Sequence, residues 1–287
     1  MDLHFNNMRK FQVYLWITIG LIAIRCVPDP LAVTDIPKLQ TKIVVSSQIL
    51  PNQSISVFLT KSIGALDAGR GSDVTELMNQ IVLNDAMVTV TYDNRTDTLD
   101  FIGNGVYAGS NMSVEYGKSY TLHVKSPSLG EVFSSTVAPR QVLFSSVKAS
   151  LYLTGYDSLA QINYGLMDPP EKNYYMINVQ KFSRKQNINS LLNPRLFIHL
   201  VKDDAFNGSE FSEEFKVLFQ RYSKGDTVAV FMSSISPEYH KYLSLRNDNR
   251  YNLAGFASEP LNYPTNVQGG YGYFNLHVPD VRIFVMK

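Results

Sequence analysis

The sequence predicts an all-β (mainly β) protein, with a sandwich of short strands followed by a second antiparallel β domain that carries two short helices. Three observations predict it. Strand-length runs rich in Val, Ile, Thr, Tyr and Phe recur along the chain, punctuated by clusters of Gly, Pro, Asn and Asp. Aromatic residues make up 12% of the chain, as 17 Tyr and 16 Phe beside a single Trp, and these residue types pack well on a pleated, half-buried surface. A single cysteine excludes a disulfide framework, so cores and backbone ladders must hold the β units.

Residues 1–25 lie outside this fold. Arg9 and Lys10 make a short positive region, and residues 11–24 form an apolar run broken only by Gln12, Thr18 and Gly20. That order, ending at Ala23-Ile24-Arg25-Cys26, reads as a secretory signal peptide. The run is short for a membrane span, which takes roughly 20 apolar residues. Cys26 stands where a bacterial lipoprotein signal places the thiol that receives a lipid such as palmitate, and Arg25 occupies a position where a small residue is usual. Three outcomes stay open: lipidation at Cys26, which the place of the lone thiol favours, ordinary secretion, and an uncleaved anchor. Residues 26–40, with Pro28, Pro30 and Pro37, read as an extended tether, because proline fixes φ and breaks helix.

Residues 41–139 are the first β domain. The runs 42–50 and 55–61 flank Pro51-Asn52-Gln53-Ser54 as a hairpin. Residues 64–72, with Gly64, Gly69 and Gly71, are a loop. Residues 73–82 read as a short helix, since Val74, Leu77, Met78, Ile81 and Val82 fall at helical spacing behind Asp73, with Glu76 in capping-box register. Strands return at 87–92 and 98–101 around Asp93-Asn94-Arg95, and Asn104-Gly105 is a tight turn before Val106-Tyr107. Residues 119–125 and 131–137 complete a set that Pro139 closes. About seven such strands make an immunoglobulin-like or transthyretin-like β-sandwich.

Residues 140–287 are the second domain. Runs 146–154, 158–167 and 173–182 are long strands, the last two joined by a turn at Asp168-Pro169-Pro170-Glu171-Lys172-Asn173. Residues 183–194 read as polar loop and 196–201 (LFIHLV) as a buried strand. From Ser209 to Tyr222, the positions Phe211, Phe215, Leu218, Phe219 and Tyr222 predict an amphipathic helix stopped at Gly225. Residues 226–234 are a strand, and Ser236-Pro237-Glu238 opens a second helix with proline in its first turn. The tail from residue 255 is extended and aromatic, broken at Gly269-Gly270.

Charge is nearly balanced, 26 basic against 25 acidic residues, so nothing selects nucleic acid as a partner. No cofactor, metal site or catalytic set emerges. No Gly-x-Ser-x-Gly elbow occurs and the five His are scattered. His123 and His199 alternate within strands and read as packed or surface imidazoles, while His240 and His277 fit no zinc spacing. Asp203, Asp204, Asn207 and Glu210 offer oxygen ligands to calcium. A turn at a helix N-terminus explains the same acids and is preferred. Gly269-Gly270-x-Gly272 is no phosphate loop, because no Lys-Ser/Thr and helix follow it; its glycines read as positive φ in a bulged closing strand. Tyr263, Tyr271 and Tyr273 form either core or a face that stacks a sugar or peptide.

Four features in one order carry a resemblance: Asp168 with Asn173-Tyr174-Tyr175; Asp203-Asp204-x-Phe206-Asn207-Gly208; Ser236-Pro237-Glu238-Tyr239-x-x-Tyr242; and Glu259-Pro260 followed by Thr265-Asn266-Val267-Gln268-Gly269-Gly270-Tyr271-Gly272-Tyr273-Phe274. The chain resembles the family catalogued as domain of unknown function 4249 (DUF4249), outer-membrane lipoproteins of Bacteroidota, over essentially the whole mature sequence. Its first domain also resembles carboxypeptidase-regulatory-like modules. The resemblance implies a non-enzymatic exported lipoprotein, held in the bilayer by a lipid on Cys26, on the periplasmic or the cell-surface face of the outer membrane. It implies an accessory or ligand-capture subunit of a TonB-dependent transporter, with a peptide or glycan as ligand. No catalytic residue comes with it. The motif positions Asp168, Tyr174, Tyr175, Asp203, Asp204, Phe206, Gly208, Pro260, Asn266, Gly269, Gly270, Gly272 and Phe274 read as structural, with binding as a second role. Two other classes compete. A surface hydrolase or glycan-processing enzyme needs converging carboxylates or a Ser–His pair in a concave site, and an adhesin-like structural module needs neither.

Overall fold

Alternation of buried and exposed residues along each strand builds two cores that share one polypeptide tail. The structure, a computed structural model, describes residues 40–49, 54–63, 79–109, 112–155, 157–182, 197–218, 220–250 and 263–287. The signal region, Cys26, most of the tether, most of the helix expected at 73–82, the 183–194 loop and Glu259-Pro260 lie outside the described residues. Residues 79–81, the described end of that first helix, are helical.

The first sandwich comprises β1 (Ile43–Ile49), β2 (Ile55–Lys61), β3 (Met87–Tyr92), β4 (Arg95–Gly103), β5 (Val106–Gly109), β6 (Ser119–Ser126) and β7 (Gly130–Val137). Its tight turns sit where the sequence places them. Asp93 and Asn94 have φ of 44° and 61°, and Asn104 and Gly105 have 49° and 73°, the two-residue geometry that matches the twist of a hairpin. β4 pairs with β3 through its first half and with β5 through its second, with a register shift between Phe101 and Gly103, so one strand turns the corner between layers. Both open edges are then closed by the tail. β14 (Val267–Gln268) pairs antiparallel with β7, and β15 (Tyr271–Tyr273) pairs parallel with β1. The tail thus crosses the boundary drawn after residue 139: Val267, Phe274 and Leu276 pack in the first core with Val57, Tyr120 and Leu122.

The second sandwich sets a three-stranded sheet against a four-stranded one. β8 (Phe144–Leu153), β9 (Ser158–Met167) and β12 (Glu210–Val217) face β10 (Tyr174–Phe182), β11 (Phe197–Lys202), β13 (Thr227–Ser234) and β16 (Asp280–Val285). Ile162, Leu166, Ile177, Val179, Val228 and Val230 are fully buried between them. A helix, α1 (Pro237–Arg250), covers part of the outer face of the four-stranded sheet, where Leu243 packs against Met176 and Ile235. Among the described residues this domain carries two short helical elements, α1 and a single 3-10 turn at Asp203–Ala205.

The helix expected over residues 209–222 is strand β12 instead. Phe211 and Phe215 are four apart, a spacing that also satisfies a period of two, and in the strand Phe211, Glu213, Phe215 and Val217 share one face. All eight residues of β12 pair with β9, which would otherwise present an unpaired edge. Long-range pairing overrode the local pattern.

The closing tail is the place where a single methyl group does most damage. A Cβ at Gly272, whose φ is +91°, would stand 2.0 Å from the Val45 carbonyl oxygen. We expect Gly272→Ala to cost on the order of 3 kcal/mol or more in urea unfolding, from backbone strain plus the displacement of β15 from β1. Gly117→Ala, also at positive φ but with open space around it, should cost only about 1 kcal/mol.

Candidate functional site

Most of the motif residues form two clasps that hold the fold. Asp168 ends β9 and is only 3% exposed, and its carboxylate accepts the Tyr175 hydroxyl and, at 2.9 Å, the Gly208 N–H. Burial and the Asp168 carboxylate push the Tyr175 hydroxyl well above its ordinary pKa. Asp203, 1% exposed, accepts the Asn173 N–H through its carboxylate and the Phe206 N–H at 2.9 Å through its carbonyl. Phe206 stacks on Phe211 at 3.9 Å. The β9–β10 turn and the β11–β12 turn are thereby tied together. Asp204 points the other way and pairs with Lys172 at 2.7 Å, an exposed bridge of little energetic weight. The two acids are thus engaged with different partners.

The second clasp is the closing tail. The Asn266 side chain bridges its two arms, accepting the Phe274 N–H at 2.9 Å and donating to the Phe274 carbonyl at 2.7 Å. Gly269 and Gly272 adopt positive φ, and a Cβ at Gly270 would lie 2.5 Å from the Ile43 carbonyl oxygen. Of the three tyrosines near it, only Tyr273 is core, packed at 5.0 Å from Tyr239 and 5.5 Å from Tyr242 of α1. Tyr271 is exposed beneath the Lys42 ammonium, and Tyr263 meets Tyr242 edge-on. The three do not form one stacking face.

A cavity lies elsewhere, on the outer face of the four-stranded sheet. Along β10 the even-numbered side chains point away from the second core. Tyr174 and Met176 pack with α1, where the Tyr174 ring meets His240 at 5.1 Å. Farther along, Asn178, Gln180 and Phe182 instead face Gln48 and Ile49 at the end of β1, and the tail residues His277 and Pro279. β13 adds Phe231 and Ser233, which register opposite Asn178 and Met176. Together they line a partly open cavity of about 180 Å³.

Two residues at this cavity carry buried side-chain atoms without a partner. The Asn178 Oδ1 and both ring nitrogens of His277 have no hydrogen-bond partner among the described residues. His277 is 6% exposed, and burial pulls its pKa down to about 4, so the imidazole is neutral at physiological pH. It then offers one N–H donor and one acceptor nitrogen. No charged side chain appears among the described residues that line the cavity. Ser233 and His277 both border it, yet among the described residues no hydroxyl or carboxylate hydrogen-bonds the imidazole.

Asn178, Gln180 and Ser233 are the site residues that sequence reading missed. The available signal was two amides at i and i+2 in a mostly apolar strand, YYMINVQKF, which places both on one face. His199 proves to be structural, its Nε2 lying 2.9 Å from Glu213, which also accepts the Tyr164 hydroxyl at 2.7 Å and so ties the two sheets at their edge.

Comparison with known proteins gives one family and little else. A family model described as "Domain of unknown function (DUF4249)" matches residues 31–280. No curated protein matches. Among solved structures, a crystal structure of titin domains is similar at 8% identity and a TM-score of 0.21, covering 69% of this chain and 61% of that one. The chain thus spans less than two thirds of the titin chain it matches.

Two measurements probe the site and its frame. Asp168→Ala leaves a buried hydroxyl and a buried N–H unpaired and should destabilise by on the order of 3 kcal/mol, against about 2 kcal/mol for Tyr175→Phe, which leaves the buried carboxylate one donor short while the Gly208 N–H still serves it. A double-mutant cycle reads the coupling. For His277, the folded pKa of about 4 lies below the unfolded value of 6.5, so the unfolded chain binds more protons between those limits. The contribution is fully present above pH 6.5 and is lost as pH falls towards 4, on the order of 3 kcal/mol in all. Urea unfolding at a series of pH values should therefore be flatter across that window in His277→Gln.

Proposed function

We propose a function from one premise: this chain belongs to the family of domain of unknown function 4249, whose model spans residues 31–280. The protein is a non-enzymatic exported lipoprotein. A lipid on Cys26 fastens it to the outer membrane, the proline-bearing segment after it acts as a tether, and the β body is the accessory or ligand-capture subunit of a TonB-dependent transporter.

The observation that carries the capture reading is the division of labour among buried polar groups. Asp168, Asp203 and Asn266 are occupied by backbone N–H groups, a hydroxyl and a backbone carbonyl, so they serve the fold. Asn178 and His277, which border a cavity walled by both sandwiches, instead carry buried side-chain atoms with no partner among the described residues. A hydrolase would want its histidine oriented by a carboxylate and poised on a hydroxyl, with a pKa near the working pH. An imidazole with a pKa of about 4 and no such neighbours is a weak base and a good neutral hydrogen-bonding group.

The test is made in the native host. Metabolic labelling with an alkyne palmitate should mark the wild-type protein and leave Cys26→Ser unlabelled, and detergent extraction followed by pull-down should recover a TonB-dependent barrel. Label retained on Cys26→Ser removes the anchor, and repeated pull-downs without a barrel remove the transporter association.

A further inference from the structure

We infer that β8, the free edge of the three-stranded sheet, is a self-association surface: it pairs antiparallel with β8 of a second copy of this chain, so that the two sheets run on into one. The inference is independent of the capture reading and uses none of its residues. It starts from what β8 leaves unpaired. β8 ends its sheet, in the order β12-β9-β8, and pairs only with β9. The Thr154 N–H donates to the Asp157 carbonyl at 2.7 Å, which marks a hydrogen-bonded pair at the hairpin end. Such pairs recur at every second residue, so the backbone groups of Tyr152, Ser150 and Lys148 bond to β9. The N–H and C=O groups of Val147, Ala149, Leu151 and Leu153 therefore point away from the sheet, and among the described residues none of them meets a partner.

The other edges of the second sandwich are guarded, and this one is not. Sheet edges are ordinarily blunted by charge, by shortness or by a bulge. β12 carries Glu210, Glu213, Glu214 and Lys216, and β11, six residues long, is tied to it through His199 and Glu213. β16 has six residues and carries Asp280 and Arg282. β8 has ten, with Lys148 as its single charge. Its register shift between Phe144 and Ser146 disturbs only the start and leaves residues 147–153 regular. At the far end Leu153 is 73% exposed and Tyr152 38%. A long, nearly uncharged edge thus finishes in exposed apolar side chains.

Charge and side-chain matching choose a second copy as the occupant and set the register. Two copies of one strand pair antiparallel about a twofold axis, so the edge must complement itself. Outward-facing residues must also meet outward-facing residues. An axis at Lys148 would set two ammonium groups face to face, which is repulsive. An axis at Ala149 would leave Leu153 opposite Ser145, inside the irregular start of the strand. An axis at Ser150 sets Lys148 beside the copy's Tyr152, a cation against an aromatic ring of the kind Lys216 already makes with Tyr152 at 3.8 Å. The same register puts Leu153 against the copy's Val147 and Ala149 against the copy's Leu151, and each of those pairs exchanges two N–H···O bonds. The exposed Leu153 is then covered, and every outward backbone group of residues 147–153 is paired.

Oligomeric state and register are read separately. The full chain, purified in detergent, is followed by sedimentation velocity from about 1 to 100 µM, the range in which non-obligate pairs of modest area dissociate. A monomer passing into a dimer as concentration rises is expected. Ala149→Pro removes an N–H that faces outward, a placement that edge strands tolerate, so the variant should keep its β circular dichroism and sediment as a monomer. Ser150→Lys sets two lysines opposite each other across the axis and should weaken pairing about tenfold or more; it decides the matter should Ala149→Pro fail to fold. For register, Ser150→Cys and Ser146→Cys are each made in Cys26→Ser, where the introduced thiol is the only one. Ser150 lies opposite itself in a non-hydrogen-bonded pair with Cα atoms about 4.5 Å apart, within disulfide reach, so Ser150→Cys should oxidise to a covalent dimer and Ser146→Cys should not. The inference is overturned if the chain stays monomeric throughout the range, if folded Ala149→Pro or Ser150→Lys pairs like the wild type, or if Ser146→Cys cross-links as readily as Ser150→Cys.

Discussion

The return of the tail into the first sandwich is the constraint on which the body depends. Without β14 and β15, strands β7 and β1 would each present an open edge with unpaired backbone groups. The chain between those two short strands has only Gly269 and Gly270 with which to cross from one edge to the other, which is why side chains are absent there. Once past Phe274 and Leu276 in the first core, the same tail runs on to β16 at the edge of the second sandwich. His277 and Pro279 therefore sit at the seam because the covalent chain crosses it there. The cavity is a by-product of that crossing, walled on one side by β1 and on the other by β10 and β13.

The seam is pinned from both ends. Ser47 of β1 both donates to and accepts from the Asn275 backbone at 2.8 Å, and Asp280 accepts the Phe144 N–H at the start of β8 at 2.9 Å. The Asn275 backbone, two residues before His277, and the Asp280 carboxylate, three residues after it, are thus held by different sandwiches. The same pinning explains why the motif positions are clasps. A pocket that spans two β layers keeps its shape only if turns far from it cannot shift, and the Asp168 and Asp203 clasps lock the two turns that flank β10 and β11.

Much of the architecture was legible because it is local. Strand limits came within a residue or two at most turn signals, such as Asn104-Gly105, while β4 starts at Arg95, three residues before the expected strand, directly after Asp93-Asn94. The assignment failed at residues 209–222, where two phenylalanines four apart fit either period and the free edge of β9 made the choice. The tail's destination was illegible for another reason: the pairing of Tyr271 with Val44 spans most of the chain, and a three-residue strand carries no pattern that names its neighbour. The motif residues were readable as structural from their types, since Asp, Asn and Gly are what turns and clasps need. The cavity residues were not, because Asn178 and Gln180 acquire meaning only when the opposite wall arrives from β1 and the tail.

What makes those residues informative is that they are expensive. β10 is buried on both faces, with Ile177 and Val179 in the second core and the Asn178 side turned towards the first sandwich. For stability alone, leucine or methionine at Asn178 and an aromatic at His277 would be the better choices. Each would replace unpaired polar atoms by apolar area worth about 25 cal/mol per Å² buried. The first half of the strand takes that solution, with Met176 and Tyr174 packed under α1. The second half does not, although the same sheet, the same strand and an adjacent wall are available to it. A stretch that abandons apolar packing midway along a doubly buried strand, and does so on the face that borders a cavity, gives up folding free energy.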